Sequence, residues 1–330
     1  MDIRLQQLSY SSRLLLHECP RKFQLNRLNT EIENHREDDD SQLTFQYGHT
    51  VGEGIQLLLA GKSMQEVIWI SFLKWKQDLF ADDVKRKKSF TLAVIALQKF
   101  SALRSAGFLK EYELVYYKGK PAVELGFRIH IPGGFKYRGF VDVVLRHRET
   151  GEVLVLEIKT SSGNVIANSY KNSAQAIGYS VILDFLFPKL SSYKVLYLVY
   201  KTKELEYEPV SYNKSYLQRA LWIEELLIEV DKLKLYESRG VYPMHGESCV
   251  GKFYKECKYL GTCTLSTERL TSPLTLESLE KLEKESYDAE VSLEDLIKTQ
   301  LENTKGIEDH EPELASTDRV YTTGLEDQIL

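Results

Sequence analysis

Apolar positions change their period four times along the chain. Near the start, Leu14, Leu15 and Leu16 follow a candidate cap at Ser11 or Ser12, and Pro20 restricts residues 17–19. Residues 30–42 are polar and acidic and read as an exposed loop. Helical spacing begins at Val51 and is renewed through Val67, Ile68, Phe72 and Trp75, then Leu92, Val94, Leu97 and Phe100. From 111 to 131 the pattern alternates, which predicts two strands about the turn Lys118-Gly119-Lys120-Pro121. After Pro132-Gly133-Gly134, two runs rich in Val, Leu and Ile (137–147 and 152–160) flank Arg148-Glu149-Thr150-Gly151 and predict a hairpin. A helix over 169–186, a strand over 192–201 and a packing helix over 212–236 complete the body. Helices, strands, then strand mixed with helix indicate an α/β domain with a mixed central β-sheet flanked by helices.

The hairpin holds the candidate chemistry. If Arg148 pairs with Gly151 across a two-residue turn, Asp142 lies opposite Glu157, with Cβ atoms roughly 5 Å apart. Lys159 shares the face of Glu157, because side chains alternate along a strand. Facing carboxylates repel unless a positive charge lies between them, and oxygens at that separation suit a hard cation such as Mg²⁺. A solvated polar stripe would leave the same pattern. On the next helix Gln175 and Tyr179 are four apart and share a face, and Gly178 permits close backbone approach. A polar seam on an amphipathic helix is the plainer alternative.

Charge divides the chain unevenly. The net charge of -5 combines an acidic stretch, 264–330, with 17 Asp/Glu against 6 Lys/Arg, and a body with 31 against 37. A mildly basic body with an acidic tail suits a nucleic-acid enzyme with a separate appendage. The run Lys85-Arg86-Lys87-Lys88 suits phosphate contact or a solvated face. Past 263 the hydrophobic density falls; a helix over 275–301 is expected, the remainder being disordered. The tail could bind a protein partner or serve only solubility. The boundaries are therefore 1–263 for the catalytic domain and 264–330 for the tail. The longest apolar runs, such as 181–187 with Asp184 inside, are too short to cross a bilayer. No apolar signal segment opens the chain, so a cytoplasmic protein is expected.

Only four cysteines occur: Cys19, then Cys249, Cys257 and Cys263 within fifteen positions. Their spacing does not match paired zinc knuckles, and a cytoplasmic disulfide framework is disfavoured. Four thiolates brought together from the two ends suit one iron–sulfur cluster, with zinc as the alternative.

Together, Gly139-x-x-Asp142, Glu157-Ile158-Lys159 and Gln175…Tyr179 resemble the PD-(D/E)XK nuclease superfamily. Leu8-Ser9-Tyr10-Ser11…Cys19-Pro20-Arg21-Lys22-Phe23 resembles the entry to RecB-type and AddB-type nuclease domains. With the three later cysteines, the whole resembles the iron–sulfur subgroup, which includes CRISPR-associated exonucleases. The resemblance implies a restriction-endonuclease-like core in which Asp142, Glu157 and the Ile158 carbonyl bind Mg²⁺ or Mn²⁺. Lys159 would assist the attacking water, and Gln175 and Tyr179 would hold the strand. Cys19, Cys249, Cys257 and Cys263 would hold a structural 4Fe–4S cluster stapling the N-terminal helix to the C-terminal edge. The substrate implied is DNA, as single strands or duplex ends, cut by an exonuclease in repair, recombination or phage and CRISPR processing. The chain departs from the family on the helix after Gly48. The register of a metal-associated His falls on Gly52, with His49 and Glu53 flanking it. That departure favours the rival reading, a non-catalytic DNA-binding or scaffold module that keeps the fold.

Overall fold

Short caps and one proline shape the N-terminal helices. A turn of helix, Ile3–Gln6 (α1), leads into β1, Gln7–Leu8. Ser9 caps α2, Tyr10–Glu18, through a reciprocal bond with Ser12, so the helix starts earlier than a cap at Ser11 or Ser12 implied. Pro20 holds Cys19 extended (φ -162°, ψ 114°), and the chain restarts as α3, Pro20–Leu28. Then come α4, Asp39–Leu59, α5, Met64–Lys74, and α6, Phe90–Ser105. Since α4 begins at Asp39, the end of the expected acidic loop is helical. The computed structural model describes residues 1–28, 39–76, 88–163, 170–187, 192–249, 256–264 and 289–304. Most of the acidic loop, Lys85, Arg86 and Lys87, and residues 305–330 lie outside that range.

A mixed sheet forms the centre. Its strands run β10-β5-β6-β7-β8-β9, with β5 Val123–Ile131, β6 Phe135–His147, β7 Val153–Ser161, β8 Ser192–Lys201, β9 Glu206–Ser215 and β10 Ala289–Ser292. β1 and β2 (Tyr112–Leu114) pair with the two ends of β6. β3, Tyr116–Tyr117, and β4, Lys120–Pro121, form a separate ribbon turning at Lys118 and Gly119, both at positive φ. β7 and β8 are parallel and are linked through α7, Ala174–Leu186, while β5–β6, β6–β7 and β8–β9 are antiparallel. α7 starts at Ala174 behind Ser173; Tyr170 and Lys171 before it are also helical, and residue 169, where the spacing placed the start, lies outside the described residues. α8, Tyr216–Arg239, is capped by Ser215 and ends at Gly240 in the left-handed conformation.

Two apolar clusters lie on the two faces of the sheet. One joins α4, α5 and α6 to Leu145, Leu154, Leu156 and Ile158; the other joins α2, α7 and α8 to Val144, Val153 and Val155. Residues two apart on a strand should keep one face. Yet Val143 belongs to the first cluster and Val141 to the second, and across on β5 Val123 and Leu125 divide the same way. The faces change over at Asp142 and Glu124, and Glu124 has a left-handed φ of 48°.

Two elements differ from the pattern reading. β9 is an edge strand of mostly polar residues with Pro209 inside it, and the predicted 212–236 helix overlaps its end. Residues 289–304, which the composition assigned to the tail, join the body. Ala289–Ser292 pairs in parallel with β5, and Leu293–Thr304 (α9) packs Leu293 and Leu296 into the core beside α7. None of the described helices is long and apolar enough to cross a membrane.

Candidate active site

The hairpin register is the predicted one, but the turn is wider. His147 and Glu152 close it, the His147 N–H donating to the Glu152 carbonyl at 2.8 Å, and Gly151 sits at φ 71°. Both closures bring the same residues opposite one another, so the ladder still runs from Arg146↔Val153 to Val143↔Leu156. Beyond that pair the strands part, and Asp142 and Glu157 stand at the mouth of the fork. There the Asp142 carboxylate replaces the ladder: its Oδ2 accepts from the Ile158 N–H at 3.0 Å.

Burial sets the electrostatics. Glu157 is 1% exposed, and neither of its oxygens accepts a well-aligned hydrogen bond. The Lys159 ammonium faces it as an ion pair at 2.5 Å. Burial and then the Glu157 charge push Asp142 up to about 7, the Ile158 N–H pulling the other way. Glu157 is raised too, burial outweighing Lys159. Burial alone would lower the Lys159 ammonium, but the two carboxylates hold it above its ordinary value. Lys159 Nζ also donates to Gln175 Oε1 at 3.2 Å, and Gln175 Nε2 donates to the Tyr179 hydroxyl at 2.6 Å. Asp142, Glu157, Lys159, Gln175 and Tyr179 thus form one connected group across β6, β7 and α7.

The structure adds a third carboxylate that the pattern reading missed. Glu124 stands beside Asp142 on β5, between the paired Val123↔Val143 and Leu125↔Val141. Its Oε1 accepts from Gln56 of α4 at 2.6 Å. Burial raises its pKa, and Asp142 adds to the rise. The Pro132-Gly133-Gly134 turn held the signal, because a hairpin closed there puts Glu124 opposite Asp142. A cleft of about 390 Å³ opens above these residues, lined also by Phe45, Gly48, His49, Gly52 and Glu53 of α4. His49 and Glu53 therefore reach the same cleft as Asp142, with Glu53 ion-paired to Lys74.

A carboxylate buried without saturating donors, paired with a second one, suits a hard cation. Mg²⁺ takes one or two carboxylates and completes its shell with water and phosphate, so the Asp142–Glu157 pair fits. Among the described residues no group of three or more His, Cys, Asp or Glu is placed to hold a metal ion.

That finding covers the cysteines as well. Cys19, Cys249, Cys257 and Cys263 are free thiols lining one pocket with Leu25, Met244 and His245. Burial raises Cys263, and the other three thiols add to it. The four thiols thus share one pocket without being placed as a metal-holding group, and the Cys257 N–H donates to the Cys249 carbonyl at 2.8 Å beside it.

The family model of the PD-(D/E)XK nuclease superfamily matches residues 7–264. No curated protein matches the chain. Among solved structures, a provisionally named exonuclease from Eubacterium rectale is 10% identical, with a TM-score of 0.46, over 84% of this chain and 93% of its own. The protein SSO0001 is 16% identical, with a TM-score of 0.25, over 62% of this chain and 94% of its own.

Proposed function

This chain belongs to the PD-(D/E)XK nuclease superfamily, and on that premise we propose that it is a divalent-metal-dependent DNA exonuclease centred on Asp142, Glu157 and Lys159. The observation that carries the reading is the carboxylate pair at the fork, Glu157 buried and Asp142 half-buried on the cleft, with Lys159 held between Glu157 and Gln175. Asp142 and Glu157 would hold Mg²⁺ or Mn²⁺. Ile158 joins them, since the N–H and C=O of a strand residue face the same neighbour and its N–H already faces Asp142. When bound there, such an ion would lower the pKa of the attacking water and offset charge on the scissile phosphate. Lys159, beside Glu157 and Gln175, would orient or deprotonate the attacking water. Gln175 and Tyr179 hold Lys159 and the strand in place. Preference for ends rests on the resemblance of the Cys19-Pro20 entry and the cysteine arrangement to exonuclease domains.

The four thiols around one pocket support a 4Fe–4S cluster that would tie α3 to the C-terminal edge of residues 1–263. Closing on a cluster requires the thiols to draw together and lose their protons. Cys257→Ser should then lower iron and sulfide content and destabilise the body; an iron-free wild type purified anaerobically overturns the cluster.

Labelled single strands and blunt duplexes, incubated with Mg²⁺ or Mn²⁺, test the activity. Stepwise shortening from an end supports the reading, and Lys159→Ala should abolish it while the fold is kept. No cleavage with either metal would favour the scaffold module, for which Gly52 in the His register is the supporting feature.

A further inference from the structure

Phe45 is 63% exposed although it is a large aromatic, and it lines the cleft whose floor holds Asp142 and Lys159. It lies on α4 on the same face as Gly48, Gly52 and Gln56, at helical spacing. The wall below it is bare: a Cβ at Gly52 would meet nothing within 4 Å, and one at Gly48 would only touch Thr160 Oγ1 at 3.4 Å. Beside it the Lys88 ammonium donates to Thr44, which lines the same cleft. A smooth wall admits a sugar–phosphate backbone, a nearby cation attracts it, and an exposed ring offers a face to an unpaired base. We propose that Phe45 is the base-stacking residue of this cleft, holding the nucleotide next to the scissile phosphate and making unpaired DNA the preferred substrate. The inference rests on the nuclease reading for its substrate class. It names the residue through which that site distinguishes a single strand from a duplex, whose bases are already stacked on one another.

The test uses the full chain with Ca²⁺ in place of Mg²⁺, so that binding is read without cleavage. Affinity for a thymidine 20-mer is compared with that for the same strand carrying consecutive abasic sites. Wild type should prefer the strand with bases by about five- to 150-fold, the worth of one base–aromatic stack. Phe45→Ala and Phe45→Leu should lose that preference, Phe45→Trp should restore it, and affinity for the abasic strand should change less than twofold throughout. In the Mg²⁺ assay Phe45→Ala and Phe45→Leu should raise KM for single strands, and Phe45→Trp should return it toward the wild-type value. Equal preference for bases in Phe45→Ala and wild type overturns the proposal, while wild-type hydrolysis leaves the nuclease reading standing. Wild-type protein that discriminates bases through Phe45 but cuts nothing with Mg²⁺ or Mn²⁺ does the reverse.

Discussion

Asp142 is held where an ionised carboxylate is poorly solvated, because the same burial that readies it for a cation penalises it when none is present. Its pKa in the folded chain lies above the ordinary 3.8, at about 7, so the folded protein keeps a proton that the unfolded chain has released. In EDTA, stability should therefore be full below pH 4 and fall as pH rises through the window up to 7. Asp142→Asn should raise Tm by several degrees at pH 8 in EDTA, leave it unchanged at pH 4, and abolish cleavage. Scanning calorimetry at the two pH values checks this, and an unchanged Tm at pH 8 would show that burial does not strain the carboxylate. Glu124 contributes at longer range. It touches no ladder partner at the fork but adds negative potential beside Asp142. Glu124→Gln should raise the Mg²⁺ concentration for half-maximal activity by roughly three- to tenfold, an effect of about 1 kcal/mol of through-space attraction. A metal titration of initial rate measures it, and an unchanged midpoint would confine Glu124 to its bond with Gln56.

The elements that position these residues depend on a few close contacts. Gly178 lies between Gln175 and Tyr179 on α7, and a Cβ there would meet Trp222 of α8 at 2.8 Å. Trp222 is itself fixed by the edge-on Tyr137 ring at 5.1 Å and by the Arg13 guanidinium over its face, 4.9 Å from the ring centre. It has little room to yield. Gly178→Ala should gain up to about 1 kcal/mol in helix propensity but cost about 1–3 kcal/mol in overpacking. The net result should be a lower Tm, with loss of activity as Gln175 shifts away from Lys159. Denaturant melts alongside the cleavage assay separate the two effects. The same region explains what was legible in the sequence. Asp142, Glu157, Lys159, Gln175 and Tyr179 could be read because a hairpin and one helix, both local elements, bring them together. Glu124 could not be read from its own neighbourhood, since its role depends on the β5–β6 register and on a left-handed backbone that no residue type there announces. β9 was hidden for a different reason. An edge strand exposes polar side chains along much of its length, so Glu206 to Ser215 carries no apolar alternation to detect.

At the scale of the whole molecule, composition misplaces the end of the folded body. The acidic excess after 263 suggested a separate tail, yet charge describes the solvent-facing side chains and says little about the few apolar ones between them. Val291, Leu293 and Leu296 are each at most 4% exposed, and β10 covers the outer edge of β5 with backbone pairing. An uncovered strand edge invites pairing with another chain. Removing residues 265–330 should therefore lower stability by roughly 5 kcal/mol, the worth of burying three such side chains at about 1.5–3 kcal/mol each, and promote self-association. Removing only 305–330 keeps β10 and α9 and deletes seven Asp/Glu against two Lys/Arg, so it separates the effect of charge from that of the packed segment. Denaturant unfolding and light scattering on the two truncations decide the matter. Equal stability would mean that β10 and α9 add nothing to the sheet. A loss confined to the longer deletion would show that residues 265–304 belong to the body, whose described part ends at residue 304, 41 residues beyond the last cysteine.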